Sequence, residues 1–195
     1  MPQEIEIKLR VDDFDDLRRS LRRAGAEYHC TLLQTDRYLD TPDKTLMRRG
    51  GAMRLRVAKY LHYKAGPRDP RPQLTLKGKL AGGKLTKQRM EIQTHVDDQE
   101  AILEILASLG FAPHLTVQKR RIVYKLGRCS VEMDELPLIG RFVEIEGPSE
   151  PQVLAAAKRL GLTGESILTS YVHLLLHHCR QAGQDKNEFV FEDEQ

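Results

Sequence analysis

The sequence predicts an α+β protein built as a closed antiparallel barrel of eight β-strands, with helices packed on its outside. Residues 3–11 alternate strictly between apolar and charged side chains, which is the period of a strand, and seven later segments also have strand character. On most of these segments one face is apolar and needs helices against it, whereas the other face carries charges at every second position. Such a sheet satisfies both faces when it closes into a barrel with a wide, wet lumen.

The predicted elements follow one another along the chain without a long break. The eight strands cover residues 3–11, 28–40, 51–64, 72–79, 84–96, 115–126, 128–135 and 141–147. Four helices are predicted. The first begins at Asp12 or Asp13 and ends at Gly25, and the second covers 97–109. The third runs from about Pro151 to Leu160 and the fourth from about Ile167 to Arg180. The apolar face of the second helix consists of Ile102, Leu103, Ile105, Leu106 and Leu109.

The chain is predicted to form one domain followed by a tail. A length of 195 residues suits a single domain with its own core, and we assign residues 1–182 to it. Residues 183–195 are acidic and have no sustained period, so we expect a mobile tail in which Phe189, Val190 and Phe191 are the residues able to dock.

Composition and charge argue against several classes of protein. The sequence has 31 Lys and Arg and 28 Asp and Glu, so its net charge is +3. This small excess does not indicate a protein that binds polyanions through a generally basic surface. The sequence has no long apolar run and no signal-like N-terminus, so we expect a cytoplasmic protein that does not bind membranes. The 3 cysteines lack metal-ligand spacing. His173 and His177 have the spacing of a zinc pair, but no general-base glutamate lies between them and we do not assign them to a metal.

A basic segment, residues 48–71, resembles a nucleic-acid-binding patch in composition. It contains eight basic residues and one acid, Asp69. Two of these residues, Arg54 and Arg56, belong to a predicted strand face, and the rest have only Tyr60 and Tyr63 as a stacking platform. We therefore do not expect nucleic acid as a partner, whereas a homodimer stays open.

The lumen charges themselves indicate a ligand. Lysines and arginines require a highly anionic ligand, and carboxylates in the same cavity would repel it unless a divalent cation lies between them. Carboxylate oxygens suit Mg²⁺ or Mn²⁺. The sequence therefore predicts metal-assisted chemistry on phosphates, with charged side chains in place of the glycine-rich phosphate loops that it lacks. No histidine or tyrosine is assigned to the lumen face of a predicted strand, so the general base is unknown at this stage.

An ordered set of short motifs carries a resemblance to a known family. After EIEIKLRV come YLDTP, MRLR, LTLKGK, KQRMEIQ, VQKRRIVY, VEMDEL, FVEIEG and TSYVHLL, across residues 3–178. This set resembles the CYTH superfamily of class IV adenylate cyclases and thiamine triphosphatases, which are also called triphosphate tunnel metalloenzymes.

The resemblance implies roles for the residues at the matching positions. The carboxylates that match metal-binding positions are Glu4, Glu6, Asp134, Glu144 and Glu146. The cations that match triphosphate-binding positions are Lys8, Arg54, Arg56, Lys77, Lys119 and Arg121. Arg89 and Glu91 match a further charged pair, interpreted as a lumen salt bridge, and Lys87 and Glu132 share the same strand face without a specific role.

The resemblance also implies a reaction on a small-molecule triphosphate. The leading interpretation is a class IV adenylate cyclase-like enzyme that converts ATP into cyclic AMP and pyrophosphate. The alternative is a triphosphatase that hydrolyses inorganic, thiamine or nucleoside triphosphate. A third interpretation is a non-catalytic binder of polyphosphate or nucleotide.

Overall fold

The computed structural model describes residues 3–81 and 86–192, and the side chains of residues 3, 4, 80, 81, 87 and 88 lie outside that description. The predictions for the Glu4 and Lys87 side chains therefore fall outside the described part. The strands are β1 (Gln3–Val11), β2 (Glu27–Asp40), β3 (Ala52–Tyr63), β4 (Gln73–Ala81), β5 (Lys87–His95), β6 (Ala112–Leu126), β7 (Cys129–Leu136), β8 (Gly140–Glu146) and β9 (Glu188–Phe189). The helices are α1 (Asp15–Arg23), α2 (Thr45–Arg48), α3 (Gln99–Ser108), α4 (Glu150–Arg159) and α5 (Tyr171–Gln181).

The eight long strands form one curled antiparallel sheet whose two ends meet. Their order is β2-β3-β4-β5-β1-β8-β7-β6, and β6 pairs in turn with β2 over a long stretch of register. Two pairings are short: β3 meets β4 only over Ala52–Arg56, and β1 meets β5 only over Gln3–Glu6. The predicted α+β barrel of eight strands is confirmed. Its wall is only roughly closed, because these two strand pairings are short.

Three helices cover the apolar outer face, as the alternation predicts. Helices α1 and α4 pack against β1, β7 and β8 through a core that includes Leu21, Val153, Val131 and Ile145, all fully buried. Helix α3 covers β2 and β3 through Leu106, which packs with Leu39, Met53 and Leu55. No helix in the described part of the chain is long and apolar enough to cross a membrane.

The apolar face predicted for α3 is partly wrong. Leu106 is buried and Ile102 and Leu103 pack beside it, but Ile105 is 56% and Leu109 67% exposed. The five residues span a wider arc of the helix than the sheet beneath can cover, so the two on one flank remain in solvent.

Helix α5 differs from the others because it packs against one end of the lumen. Its buried residues Val172 and Leu175 pack in one core with Leu115, Val117 and Phe142, which lie on the same inward faces of β6 and β8 as the charged lining residues. The helix begins at Tyr171, four residues later than predicted, because Ser170 caps it and the preceding segment binds strand β1. There the Ile167 amide donates to the Lys8 carbonyl at 2.7 Å. This attachment holds the start of α5 at the lumen.

The tail departs from the expected mobile segment at Glu188–Phe191. Strand β9 pairs in parallel with β6, placing Glu188 beside Thr116 and Phe189 beside Val117. Phe189 is 1% exposed and belongs to the same core as α5. Strand β7 pairs only with Arg120–Leu126 of β6, so β9 continues that side of β6 where β7 has ended. Apolar contacts therefore fix a segment whose short length gave no period.

Candidate functional site

The inward faces of the strands enclose a cavity of about 950 Å³. The basic residues that line it, within the described chain, include Lys8, Arg54, Arg56, Lys77, Arg89, Lys119 and Arg121. The acidic residues that line it include Glu6, Asp36, Asp40, Glu91, Glu132, Glu144 and Glu146. The structure thus brings together the site residues predicted from the sequence, apart from Asp134, which lies behind the lining, and the side chains of Glu4 and Lys87.

Asp134 is a fully buried anchor for two cations. Its carboxylate accepts from Lys119 Nζ at 3.2 Å, from Arg121 Nε at 2.6 Å and from the Tyr171 hydroxyl at 3.0 Å. Burial alone would raise the pKa of Asp134, but the charges of Arg121 and Lys119 outweigh it and lower the pKa. Asp134 is therefore ionised and fixes the positions of Lys119 and Arg121.

Glu144 joins the same network from strand β8. The β1–β8 register places it opposite Lys8, whose Nζ lies 3.3 Å from Oε1, and its Oε2 accepts from Arg121 Nη2 at 2.7 Å. The Lys8 ammonium also donates to the Thr169 carbonyl at 3.1 Å and lies 4.1 Å from the centre of the Tyr171 ring. The start of α5 thus supports Lys8, which is only 2% exposed.

Arg121 is shared by three carboxylates, because it also contacts Glu132. Burial would lower the pKa of Arg121, yet Asp134 and Glu132 raise it well above the ordinary value. The pKa of Glu132 is raised, chiefly by burial, in spite of the opposing charge of Arg121. We call this set the Asp134 cluster: Lys8, Lys119, Arg121, Glu132, Asp134 and Glu144.

A second anchored group, the Asp36 cluster, consists of Asp36, Arg54 and Arg56. The β2–β3 register pairs Asp36 with Arg56, which binds it through two parallel contacts, Nε to Oδ1 at 2.6 Å and Nη2 to Oδ2 at 2.7 Å. Arg54 Nη1 lies 3.4 Å from Oδ2. Burial would raise the pKa of Asp36, but the charges of Arg56 and Arg54 lower it overall. The carboxylate holds both guanidinium groups toward the cavity.

Two further cations line the wall made by β4 and β5. Lys77 and Glu91 are register partners, and Lys77 Nζ lies 2.7 Å from Glu91 Oε2. Arg89 lines the cavity two residues before Glu91 on β5. Glu91 therefore forms a salt bridge with Lys77 across the strands, and the Arg89–Glu91 pair stays a prediction.

Burial also changes the protonation equilibrium of Lys119. It is 5% exposed, and burial together with the charge of Arg121 lowers its pKa to about 8, although Asp134 opposes the change. A ligand that brings negative charge would favour the protonated form of Lys119.

Carboxylates face each other across the strands on one side of the cavity. Glu6 is the register partner of Glu146, and Glu132 is the partner of Glu144. Like charges directly opposite are unfavourable, and a divalent cation relieves their repulsion. Within residues 3–81 and 86–192, no group of three His, Cys, Asp or Glu side chains is arranged so that it could hold a metal ion. Two carboxylates are nevertheless sufficient for Mg²⁺, which keeps several waters and binds jointly with substrate phosphates. Glu6 and Glu146 fit such an ion.

Several lining residues were not predicted from the sequence. Asp36 was missed, although Gln34, Asp36 and Tyr38 occupy alternate positions in a predicted strand and so share one face. The view that no histidine or tyrosine faces the lumen is also wrong, because Tyr38 and His114 line the cavity from β2 and β6. His114 escaped notice because it precedes the predicted strand and lies where the β2–β6 register shifts.

The fold and the cavity define a class of protein: a small barrel whose lumen is lined by anchored cations and facing carboxylates. A model of the CYTH domain matches residues 2–170. The chain therefore belongs to the CYTH domain family.

Two relatives that are named as adenylate cyclases agree with this membership. The chain is 27% identical over 143 residues to a candidate adenylate cyclase of Methanocaldococcus jannaschii, covering 73% of this chain and 75% of that protein. It is 25% identical over 193 residues to the adenylate cyclase CyaB of Aeromonas hydrophila, covering 92% of this chain and 90% of that protein.

A solved structure supports the fold. A Hippeastrum protein superimposes with a TM-score of 0.66 at 19% identity, covering 94% of this chain and 97% of that one. It is described as a candidate adenylyl cyclase with a dominant triphosphatase activity.

Proposed function

We propose that this protein binds the triphosphate group of a small substrate in its cavity and, with Mg²⁺ or Mn²⁺, converts ATP into cyclic AMP and pyrophosphate. The observation that carries the proposal is the convergence of lysines and arginines from five different strands on one cavity. Their placement by buried carboxylates means that little reorganisation is needed when phosphates bind. The full-length similarity to a named adenylate cyclase favours the cyclase over other reactions.

The cations that line the cavity would bind different parts of the triphosphate. Arg54 and Arg56 present guanidinium groups that can pair with phosphate oxygens in bidentate geometry. Lys77 and Lys119 add compact positive charges from β4 and β6. Together they neutralise the charge that moves onto the leaving pyrophosphate.

Glu6 and Glu146 would hold the divalent ion. When bound, such an ion polarises a phosphoryl oxygen and stabilises the charge that develops in the transition state. Asp134 was expected to share this role. Its complete burial and its contacts with Lys119, Arg121 and Tyr171 support an anchoring role in its place.

In the proposed reaction the 3′-hydroxyl of ATP attacks the α-phosphorus. A bond forms between O3′ and the α-phosphorus, the bond from that phosphorus to the bridging oxygen breaks, and pyrophosphate leaves with the electron pair. The hydroxyl proton passes to a base. The imidazoles that line the cavity in the described chain belong to His114 and His173, and we assign the role to neither.

A triphosphatase is the second candidate. It is supported by the Hippeastrum relative, whose description names that activity. The same cations would hold the triphosphate, while water would attack the terminal phosphorus in place of the ribose hydroxyl.

Product analysis tests these proposals. The protein is incubated with ATP, inorganic triphosphate and thiamine triphosphate, in Mg²⁺ and then in Mn²⁺, and the products are separated by chromatography. The cyclase must yield cyclic AMP and pyrophosphate in equal amounts, and excess chelator must abolish both. Orthophosphate without cyclic AMP would replace the cyclase by the triphosphatase, and binding without any product would favour the non-catalytic binder.

A further inference from the structure

Gln34 carries a buried amide oxygen without a partner, in a cavity where the charged groups of Asp36 and Lys119 are paired. It lies on β2, is 6% exposed and lines the cavity. Its Oε1 has no hydrogen-bond partner among the described residues. The strand register places it between Ala58 and Lys119, and the Lys119 ammonium donates to Asp134.

A buried amide oxygen without a hydrogen-bond partner destabilises the unliganded protein. Buried polar groups are nearly always hydrogen-bonded, and one left without a partner destabilises the fold. Asp36, two residues away on the same strand, is fully engaged by two arginines. The contrast indicates that the partner of Gln34 arrives with a ligand.

The chemistry of the amide restricts what that ligand can be. An amide offers a donor and an acceptor, whereas phosphate oxygens only accept. A bare triphosphate can accept only from the NH₂ half of Gln34, and it leaves the unpartnered carbonyl oxygen without a donor. An organic group attached to the triphosphate can supply the missing donor through a hydroxyl or an amino group.

We propose that Gln34 is a specificity-determining residue that favours a nucleoside triphosphate over inorganic triphosphate. This inference rests on the proposed function, because it assumes that triphosphates bind in the cavity. Lys119, the register neighbour of Gln34, is one of the proposed phosphate-binding cations. A ribose hydroxyl lies close to the α-phosphate of a nucleotide, so a triphosphate held by Lys119 brings its sugar within reach of the amide.

The test is the selectivity of Gln34→Met, which keeps the length of the side chain and removes its hydrogen-bonding groups. Dissociation constants for ATP and inorganic triphosphate are measured by calorimetry, with chelator and again with Mg²⁺. The preference for ATP is expected to fall about tenfold, the size of one lost hydrogen bond. Two further ligands locate the donor: 2′,3′-dideoxy-ATP lacks the ribose hydroxyls, and inosine triphosphate lacks the amino group. The ligand whose dissociation constant does not change on Gln34→Met is the one that lacks the group bound by Gln34.

A matched control is Gln152→Met on α4. Gln152 Oε1 is also buried without a partner in the described chain, but Gln152 does not line the cavity. Its substitution should leave the preference for ATP unchanged. The melting temperature of unliganded Gln34→Met should equal or exceed that of the wild type, because an unsatisfied buried group is removed.

Three outcomes would overturn the proposal. The first is an equal loss of affinity for ATP and inorganic triphosphate. If this equal loss occurs only in the presence of Mg²⁺, Gln34 is a metal ligand. The second is an unchanged preference for ATP, and the third is a marked drop in the melting temperature of Gln34→Met, which would make its role structural. If the wild type binds neither triphosphate, the proposed function itself fails, and that result is distinct from all three.

Discussion

The Asp36 cluster and the Asp134 cluster use the same device with different charge balance. Each places a buried aspartate beside cations that line the cavity. In the Asp36 cluster two arginines share one carboxylate, whereas in the Asp134 cluster three cations face three carboxylates. The first therefore has surplus positive charge for a polyanion, and the second is balanced. The comparison suggests that the Asp36 cluster contributes mainly to binding and the Asp134 cluster mainly to stability.

The largest expected effect is on folding, in the Asp134 cluster. Asp134→Asn should lower the free energy of unfolding by about 3–5 kcal/mol, because Lys119 and Arg121 would remain buried beside a neutral side chain. Urea denaturation of Asp134→Asn and Asp36→Asn measures the difference. A smaller loss for Asp134→Asn than for Asp36→Asn would contradict the division of roles.

The next effect is on catalysis, at the facing carboxylates beside the Asp134 cluster. Glu6→Gln should reduce turnover by about two orders of magnitude or more with the fold retained, since one contact to a transition-state metal ion is lost. Turnover is measured across a Mg²⁺ titration, with circular dichroism as a check on folding. Glu135→Gln is the control, because Glu135 pairs with Arg141 and does not line the cavity. Equal turnover in both variants would remove Glu6 from the metal site.

A moderate effect on affinity should separate the two clusters directly. Arg56→Met should weaken metal-free binding of inorganic triphosphate about 10- to 30-fold and orthophosphate much less, because a bidentate contact to one phosphate of a chain is lost. Calorimetry with both ligands measures this. Arg18→Met on α1, which removes an exposed arginine, should change neither affinity. If Arg121→Met weakens binding more than Arg56→Met does, the assignment of binding to the Asp36 cluster is wrong.

The smallest effect is a pH dependence that originates at Lys119. Because its pKa in the folded protein is about 8, Lys119 loses its proton as the pH rises through that value, and metal-free affinity for triphosphate should fall severalfold. The same shift has the opposite sign for folding. The unfolded chain keeps the proton up to the ordinary value of 10.5, so this residue makes stability rise between about pH 8 and 10.5. Lys119→Met should flatten both profiles, and an unchanged affinity profile would place the titration elsewhere.

The sequence was most informative where one physical rule acts along a strand. Alternation at spacing two predicted the strands and the common lumen, because the pleat leaves no other place for Lys8, Arg56 or Glu144. It could not reveal that Glu91 pairs with Lys77 or that Asp134 lies behind the lining. Those contacts depend on the register between neighbouring strands, which the alternation within a single strand does not determine.

Short or irregular elements were predicted least well. The four residues of α2 and the two of β9 are too few to show a period, and only tertiary contacts define them. The alternation of Gln34, Asp36 and Tyr38 indicates a polar strand face that includes Asp36. Asp36 was missed because the prediction relied on two charges at spacing two, and its neighbours at that spacing are uncharged. His114 had no such signal, because the β2–β6 register shifts beside it.

The docking of β9 determines where the chain can be shortened. A protein ending at residue 182 would retain the whole of α5 but lose Phe189, leaving a hole among Leu115, Val117 and Leu175. The Thr116 amide, which now donates to the Asn187 carbonyl at 2.8 Å, would lose its partner at the same time. A strand edge that is exposed beside an apolar hole invites pairing with a neighbouring molecule. We therefore expect a chain shortened to residue 182 to self-associate, although the composition of the acidic tail resembles that of a dispensable extension.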